Sequence, residues 1–464
     1  MAAALSPDGR TLVIDLLGSL WTLPAAGGAA KRISDQFLDA RQRVWAPDNR
    51  RIAFQGYAEG VWHLNVMNPD GSELRRVTDG PFDDREPSLS DRDRLEACRR
   101  QRRPHHRRAG SDVVMPGLIE MHAHLSKEYG EALGRIFLAY GITSVRNPAA
   151  NAYGALEDKE AIGAGVRRGP RVFATGGPFD GSRIYYSGGV PLASGAQLPQ
   201  ELQKTVRLGY DLIKTYVRLD DRLQKQVIDF AHANGMPVTS HEIYPAVASG
   251  ADGVEHIRGT SHRGYNPKVS ALFHSYQDIV DLLTASKMTI TPTIGITGGA
   301  FPLMLGRDPS RIDDARFETL FPASVVRAMR ELVRQSKGYS AADFDAQAAV
   351  LKPMGDLVRK VVKGGGIVIA GTDSPIFPYA LAFHTELEIF AQAGLTPFEV
   401  LQTATMRAAE ALEEGANLGS IEAGKLADLV IVADDPLADV KNARKVRTVI
   451  ENGEVHTVES LLRR

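Results

Sequence analysis

The chain reads as an α/β protein built on a TIM (β/α)8 barrel with a small C-terminal β-domain, preceded by an N-terminal all-β propeller-like fragment. Three observations predict this. From residue 112 onward, short apolar strands alternate with amphipathic helical patterns, as parallel βα units require. Several of those strands end in His, Lys or Asp, on the rim where barrel enzymes build their sites. The first ninety residues instead repeat a turn–strand–turn–strand unit at a spacing of roughly forty residues, the period of a propeller blade.

At 464 residues the chain is long enough for two or three domains. A formal net charge of -1 gives no global attraction to nucleic acid or to an anionic membrane. No apolar run approaches the ~20 residues that span a bilayer. The start "MAAALSPDGR" has neither a basic opening nor an apolar core. A cytoplasmic location is therefore expected for the chain as it stands, with an exported, longer parent as the alternative. Cys98 is the single cysteine, which excludes an internal disulfide framework and any cysteine-based metal cluster. Metal ligands must come from His, Asp, Glu or something unusual.

Taken in order, residues 1–90 hold two similar units. "SPDGRTLVIDLLGSLWTLP" begins at Ser6 and "APDNRRIAFQGYAEGVWHLNV" at Ala46; a third start, "PSLSDRDR", follows at Pro87. Each full unit has a Pro-Asp turn, an alternating strand, a Gly-containing turn and a second strand with Trp. The units resemble the TolB-like (PD40) propeller repeat, with "SPDGR" and "APDNR" as turn signatures. Closing a propeller takes at least four blades, so this region is expected to be a remnant. Residues 91–111, "DRDRLEACRRQRRPHHRRAGS", are dense in Arg and nearly free of aliphatic side chains, so they cannot form a core. A disordered junction is the expectation, and His105 and His106 receive no role.

The barrel is predicted over 112–414. Its strands are "VVMPGLIEMHAH", "ITSVRNPA", "RVFATGGPF", "DLIKTYV", "PVTSHE", "GVEHI", "MTITPTI" and "GIVIAGTDS". Helical patterns lie between several of them, such as "DRLQKQVIDFAHANG", closed by Gly235. The last helix opens with Thr396 as N-cap, Pro397 at N1 and Glu399 closing a capping box, and is predicted to run on through "VLQTATMRAAEALEE". Residues 415–464 return to strands, with an Asn-Gly hairpin turn at Asn452-Gly453.

His122 and His124, at i and i+2, share one face of an extended strand about 7 Å apart. Two imidazoles on one face suit a metal. Lys214 lies in the fourth strand, His241 ends the fifth, His256 the sixth and Asp373 the eighth. So many metal-liking residues on one rim are hard to attribute to chance. His232 and His274, on helical patterns, are read as surface or packing residues. His384 is read as a helix-face residue, with support of the site as the alternative.

The region from Val113 to the C-terminus resembles the amidohydrolase superfamily, nearest to its subgroup of Xaa-Pro dipeptidases and imidazolonepropionases. The resemblance rests on "PGLIEMHAH", "DLIKTY", "TSHE", "VEHIRG", "AGTDS" and the tail "LGSIEAGKLADLVIV". It implies two divalent metal ions, usually zinc. His122 and His124 would hold one with Asp373, and His241 and His256 the other. Lys214, carboxylated by CO₂, would bridge both. Burial near cations lowers a lysine's pKa, so a neutral amine is available for that reaction. The implied reaction is cleavage of an amide bond, in a dipeptide or N-acyl amino acid, by a hydroxide shared between the metals, with Asp373 as general base and then general acid. A lactam, ester or carbamate hydrolase on the same site is the second reading. A non-catalytic interaction protein, docking through its propeller strands, is the third.

For substrate recognition, Arg258 follows His256 by two and could pair with a carboxylate. Tyr216 shares the face of Lys214, and Tyr244 lies just past His241. The Gly-rich loop "GGPFDGSRIYYSGGV" is read as a substrate wall, and the segment after strand seven, "FPLMLGRDPSRIDDARFETLF", as either a lid or a plain elaboration. The expected partner is a small-molecule substrate, without nucleic acid or membrane; a homo-oligomer is compatible with the chain. Family members carry a small β-sandwich from strands on both sides of the barrel. Its later half is visible here in "LADLVIV" and "VRTVIENGEV", and its earlier half is not.

Overall fold

A computed structural model describes residues 3–78 apart from a few positions, the short strands at 88–89 and 95–96, and residues 112–259, 277–296 and 299–463. Apart from Leu95–Glu96, the Arg-rich junction, with Cys98, His105 and His106, lies outside the described residues, as does His274. The chain divides into two compact units, Met1–Arg108 and Ala109–Arg464.

The first unit is all-β. Strands Ala3–Leu5, Thr11–Leu16, Ser19–Pro24 and Lys31–Arg32 form one antiparallel four-stranded meander. Arg41–Trp45, Ile52–Ala58, Val61–Met67 and Arg75–Arg76 form a second. The Pro-Asp turns work as their chemistry dictates. Asp8 and Asp48 accept the amides of Arg10 and Arg50 two residues on, and Gly9 and Asn49 take the left-handed conformation. Val13, Leu20, Trp45, Ile52, Phe54 and Met67 join in one core shared by both meanders.

The second unit is α/β. Strand β1 (Leu118–Glu120), β2 (Ile142–Asn147) and β3 (Arg171–Ala174) form a parallel three-stranded sheet. Strands β4 (Ile213–Thr215), β5 (Val238–Ser240), β6 (Gly253–Glu255), β7 (Thr289–Thr291) and β8 (Ile367–Val368) run parallel in a second sheet. That sheet is extended to seven strands by Phe179–Gly181 and Val190–Leu192, which the sequence pattern does not separate from β3 and its loop. The pairing therefore registers as two parallel sheets. Backbone bonds span the gaps between them: Met121 N donates to Ala370 O (2.9 Å) and Asp373 N to His122 O (2.7 Å) on one side, and Asp211 N to Ala174 O (3.0 Å) on the other.

Two predicted elements break where the tertiary structure demands it. The run "VVMPGLIEMHAH" is not one strand. Val113–Pro116 pairs antiparallel with Leu429–Val432, while Leu118–Glu120 pairs parallel with β2. Gly117 is the joint: a Cβ there would lie 2.0 Å from Thr143 Oγ1. A strand N-terminal to the parallel strands thus exists after all, in the four-stranded order Val113–Pro116, Leu429–Val432, Val446–Glu451, Glu454–Thr457. The last two are joined at Asn452-Gly453, both at positive φ, as predicted. The capping box at Thr396 and Glu399 is present, but its helix stops at Thr403 and a second begins at Met406. The reason lies in the carbonyls between them. Thr403 O accepts from Ala370 N and Ala404 O from Ile119 N, so these groups serve the sheet rather than a continuous helix.

The segment after β7 is helical, comprising Ala300–Arg307, Ala315–Leu320, Ala323–Ser336 and Ala341–Lys363. Phe301, Phe317, Leu320 and Val358 are buried in the main core. No helix among the described residues is long and apolar enough to cross a membrane.

Candidate active site

The polar side chains that the parallel strands bury converge on one locality. Lys214 (β4) and Glu255 (β6) are buried in strands, with Glu120 (β1) and Arg146 (β2). His122, His124, His241, His256 and Asp373 all lie just beyond strand ends rather than within them. The expected two-residue strand geometry of His122 and His124 is therefore replaced by an irregular turn after β1. It is held by His124 N donating to Ser374 O (2.8 Å) and by an isolated bridge between Ala123 and Ser374.

The four imidazoles are contiguous. Ring centroids lie 5.1 Å apart for His122 and His124, 4.7 Å for His122 and His256, and 4.7 Å for His256 and His241. Asp373 Oδ1 is 3.0 Å from His124 Nε2 and 3.4 Å from His122 Nε2; Asp373 Oδ2 is 3.9 Å from His256 Nδ1. One ligand atom each from His122, His124 and Asp373 falls within 4.8 Å of the others. His256 and Asp373 are both at positive φ, 60° and 58°, a conformation that non-glycine residues keep only where the surroundings over-determine it.

The electrostatics suit a cation. Burial, with His122 and His241 alongside, holds His256 well below the usual histidine range, so its imidazole is neutral and able to ligate. Burial pushes the Asp373 carboxyl up, but bonds to His122 and His124 outweigh it and hold it well below the usual range. Burial lowers Lys214 to about 8; Glu255 and Asp373 oppose that shift and Arg146 reinforces it. A neutral His256 imidazole beside the ionised Asp373 carboxylate, with three further imidazoles at hand, gives a donor set that fits a divalent ion.

Sequence reasoning missed the groups that hold this set in place. Glu255 Oε2 lies 2.6 Å from His122 Nδ1, and Glu255 Oε1 accepts from Arg146 Nη2 at 2.6 Å and from the Thr239 hydroxyl. Burial opposes ionisation of Glu255, but Arg146, Lys214 and His122 together keep its carboxyl well below the usual range. Arg146 also donates to Met121 O and Thr291 Oγ1. Glu120 accepts from the amides of His122 and Thr372, both at 3.0 Å, and from the Thr372 hydroxyl; burial raises its pKa well above the usual carboxylate value. His124 Nδ1 faces Ala149 O (2.9 Å) and His256 Nδ1 faces Thr293 Oγ1 (2.7 Å). Such partners fix which ring nitrogen is presented. One signal was present: Glu120 precedes His122 by two. Gly259 is required by close approach, since a Cβ there would lie 2.6 Å from His241 Cε1.

The remaining candidates separate. Tyr216 is buried with its ring 4.6 Å from that of His241. Arg258 is exposed and Tyr244 is half-exposed, each in the turn following a strand-end histidine. His384 is buried with Nε2 facing Tyr140 O at 2.9 Å, a packing role on its helix. His232 is exposed and pairs with Asp252.

This rim of strand-end imidazoles can be set against known proteins. The amidohydrolase family model matches residues 113–456. The chain belongs to the amidohydrolase family. Membership classes it with hydrolases acting on carbon–nitrogen bonds, in a family whose members generally bind metal ions. An imidazolonepropionase from Geobacillus sp. (strain WCH70) is 33% identical over 147 residues, which is 28% of this chain and 32% of that one. The chain thus spans about a third of the length of that curated relative. Among solved structures, this amidohydrolase-family chain is similar to a Xaa-Pro dipeptidase with bound methionine in its active site (TM-score 0.55, 19% identity, covering 90% of this chain and 98% of that one). It is also similar to the bottromycin amidohydrolase (TM-score 0.56, 18% identity, 91% and 87%) and to molinate hydrolase (TM-score 0.53, 15% identity, 89% and 91%). At these identities the likeness speaks for the fold.

Proposed function

We propose that this amidohydrolase-family chain is a binuclear metal hydrolase that cleaves an amide bond in a dipeptide or N-acyl amino acid. The observation that carries the reading is the contiguous run of His124, His122, His256 and His241, with Asp373 against three of the four. The backbone bonds between the parallel sheets support reading β1–β8 as one barrel, and the four-stranded antiparallel order of each meander in the first unit supports reading them as propeller-type blades.

His122, His124 and Asp373 would hold one ion; His241 and His256 would hold the other. The second pair needs an anionic third ligand, which Lys214 would supply if carboxylated. Zinc fits imidazole, carboxylate and carbamate donors. When bound, such ions lower the pKa of water to about 7 and polarise a carbonyl. The protein's own share is orientation and proton transfer. Glu255 and Arg146 fix the His122 ring, and Thr293 fixes His256. Asp373, ionised and partly exposed, takes a proton from the attacking water and delivers it to the departing nitrogen.

The test has two parts. Metal analysis of the purified chain is expected to find about two ions per molecule, and an essentially metal-free active protein would refute the reading. A screen of dipeptides, N-acyl amino acids, lactones and aryl esters is expected to give hydrolysis of the amides; turnover confined to the esters or lactones would move the reading to that class.

A further inference from the structure

We infer that the site takes a substrate bearing a planar aromatic ring, which lies against a wall made by Tyr185, Tyr186 and Tyr216. This rests on the amide-hydrolase reading above and adds a specificity to it. Tyr216 packs its ring on His241, and both Tyr185 and Tyr186 pack on Tyr216, with centroids 5.6 and 5.3 Å away. The wall is therefore continuous with the metal-liking imidazoles.

The loop that carries it is built rather than loose. Buried Asp180 accepts the amides of Gly181, Tyr185 and Arg218 at 2.8–2.9 Å. Arg218 Nη1 donates to the carbonyls of Arg183 and Ile184. Yet Tyr185 and Tyr186 stay 43% and 53% exposed. Holding two large rings in water next to a reaction centre leaves apolar surface unburied, and a ligand that covers it recovers that loss.

The geometry selects the ligand's chemistry. A cation-binding cage needs rings spaced around an ion. Here Tyr185 and Tyr186 touch each other at 4.8 Å, and the Arg218 guanidinium already covers one face of Tyr185 at 5.2 Å. No gap for a cation is left between the rings. The open edges and faces suit offset or edge-to-face contact with a flat ring.

The experiment compares matched pairs on the full chain loaded with zinc: benzoylglycine against cyclohexanecarbonylglycine, and acetylphenylalanine against acetylcyclohexylalanine. These place the ring on either side of the amide. The expected result is an aromatic preference of about two- to tenfold in kcat/KM for one pair. It is retained in the Tyr185→Phe/Tyr186→Phe variant and collapses toward one in Tyr185→Ala/Tyr186→Ala. If neither pair shows a preference, or if the preference survives the alanine variant, the inference is overturned. If no compound is hydrolysed, the amide-hydrolase reading fails by itself, and the same ratio is then read from calorimetric dissociation constants.

Discussion

His122 Nδ1 lies 2.6 Å from Glu255 Oε2, with both side chains buried, although 133 residues separate them. The contact orients the imidazole, and Arg146 on the other carboxylate oxygen keeps Glu255 ionised. Glu255→Gln replaces an acceptor oxygen with a donor amide, so either His122 or Arg146 loses its partner. Zinc affinity is expected to fall by about 10- to 100-fold. Competition with a chelator checks this; unchanged affinity would remove Glu255 from the site's support.

Asp373 lies against His122, His124 and His256, and in the proposed mechanism it moves the proton. Asp373→Asn keeps an oxygen for the metal but cannot accept the proton. The expected outcome is retained metal content with kcat lowered by about 10²- to 10⁴-fold. Metal analysis and steady-state kinetics on the same preparation decide it, and full activity would refute the assigned role.

Gly259→Ala drives a methyl group into the His241 ring. The backbone there is otherwise ordinary, so the fold is expected to persist while the imidazole is displaced. A shift of about 1 Å in a site costs up to about 10²-fold in rate. The check is kcat/KM beside the thermal midpoint: both falling together would point to general unfolding instead.

Glu386 is buried in the helix Leu381–Gln392, and its carboxylate accepts the amides of Ile294 (2.8 Å) and Gly295 (2.7 Å). Burial pushes its pKa up to about 8 in spite of those bonds. The folded value stands above the unfolded one, about 4.3. The unfolded chain therefore releases this proton first as pH rises, and the group's contribution to stability is lost between these values. The slope is at most about 1.4 kcal/mol per pH unit. Glu386→Gln cannot ionise, so the thermal midpoint of the variant is expected to gain on the parent from pH 5 to pH 8. A constant difference across that range would contradict the assignment.

Arg311 and Glu388 form a buried bidentate pair at 2.8 and 2.5 Å. Arg311→Met leaves the buried Glu388 carboxylate facing Arg444 at 4.0 Å without its bidentate partner, and is expected to cost about 3–5 kcal/mol. The double variant Arg311→Met/Glu388→Leu removes both charges and is expected to recover much of that loss. Denaturant unfolding of the single and double variants measures it; equal losses would show that packing, not charge, governs the position.

The local pattern of the chain carried a good deal. Strand-to-helix alternation from residue 112 foretold parallel βα order because burial imposes its period on the residues themselves. The caps at Thr396 and the Asn452-Gly453 turn were legible because such chemistry is settled within a few residues. The histidines, Lys214 and Asp373 stood out because a metal-liking side chain at the end of an apolar strand has little other use there.

Partnership between distant segments was not legible. Nothing near Val113 shows that its strand pairs with Leu429–Val432 while Leu118 turns to β2. Nothing near Thr403 shows that its carbonyl serves Ala370. The bonds of Glu255 to His122 and Arg146 join β6 to the turn after β1 and to β2, and the Tyr185–Tyr186–Tyr216 wall depends on where Asp180 and Arg218 pin a loop. Periodicity and turn chemistry act over a few residues, so the order of residues alone determined the elements and the kinds of ligand. Long-range hydrogen bonds and buried ion pairs exist only once the chain has closed on itself, so the tertiary structure decided where strands end, which groups orient the imidazoles, and what surface borders them.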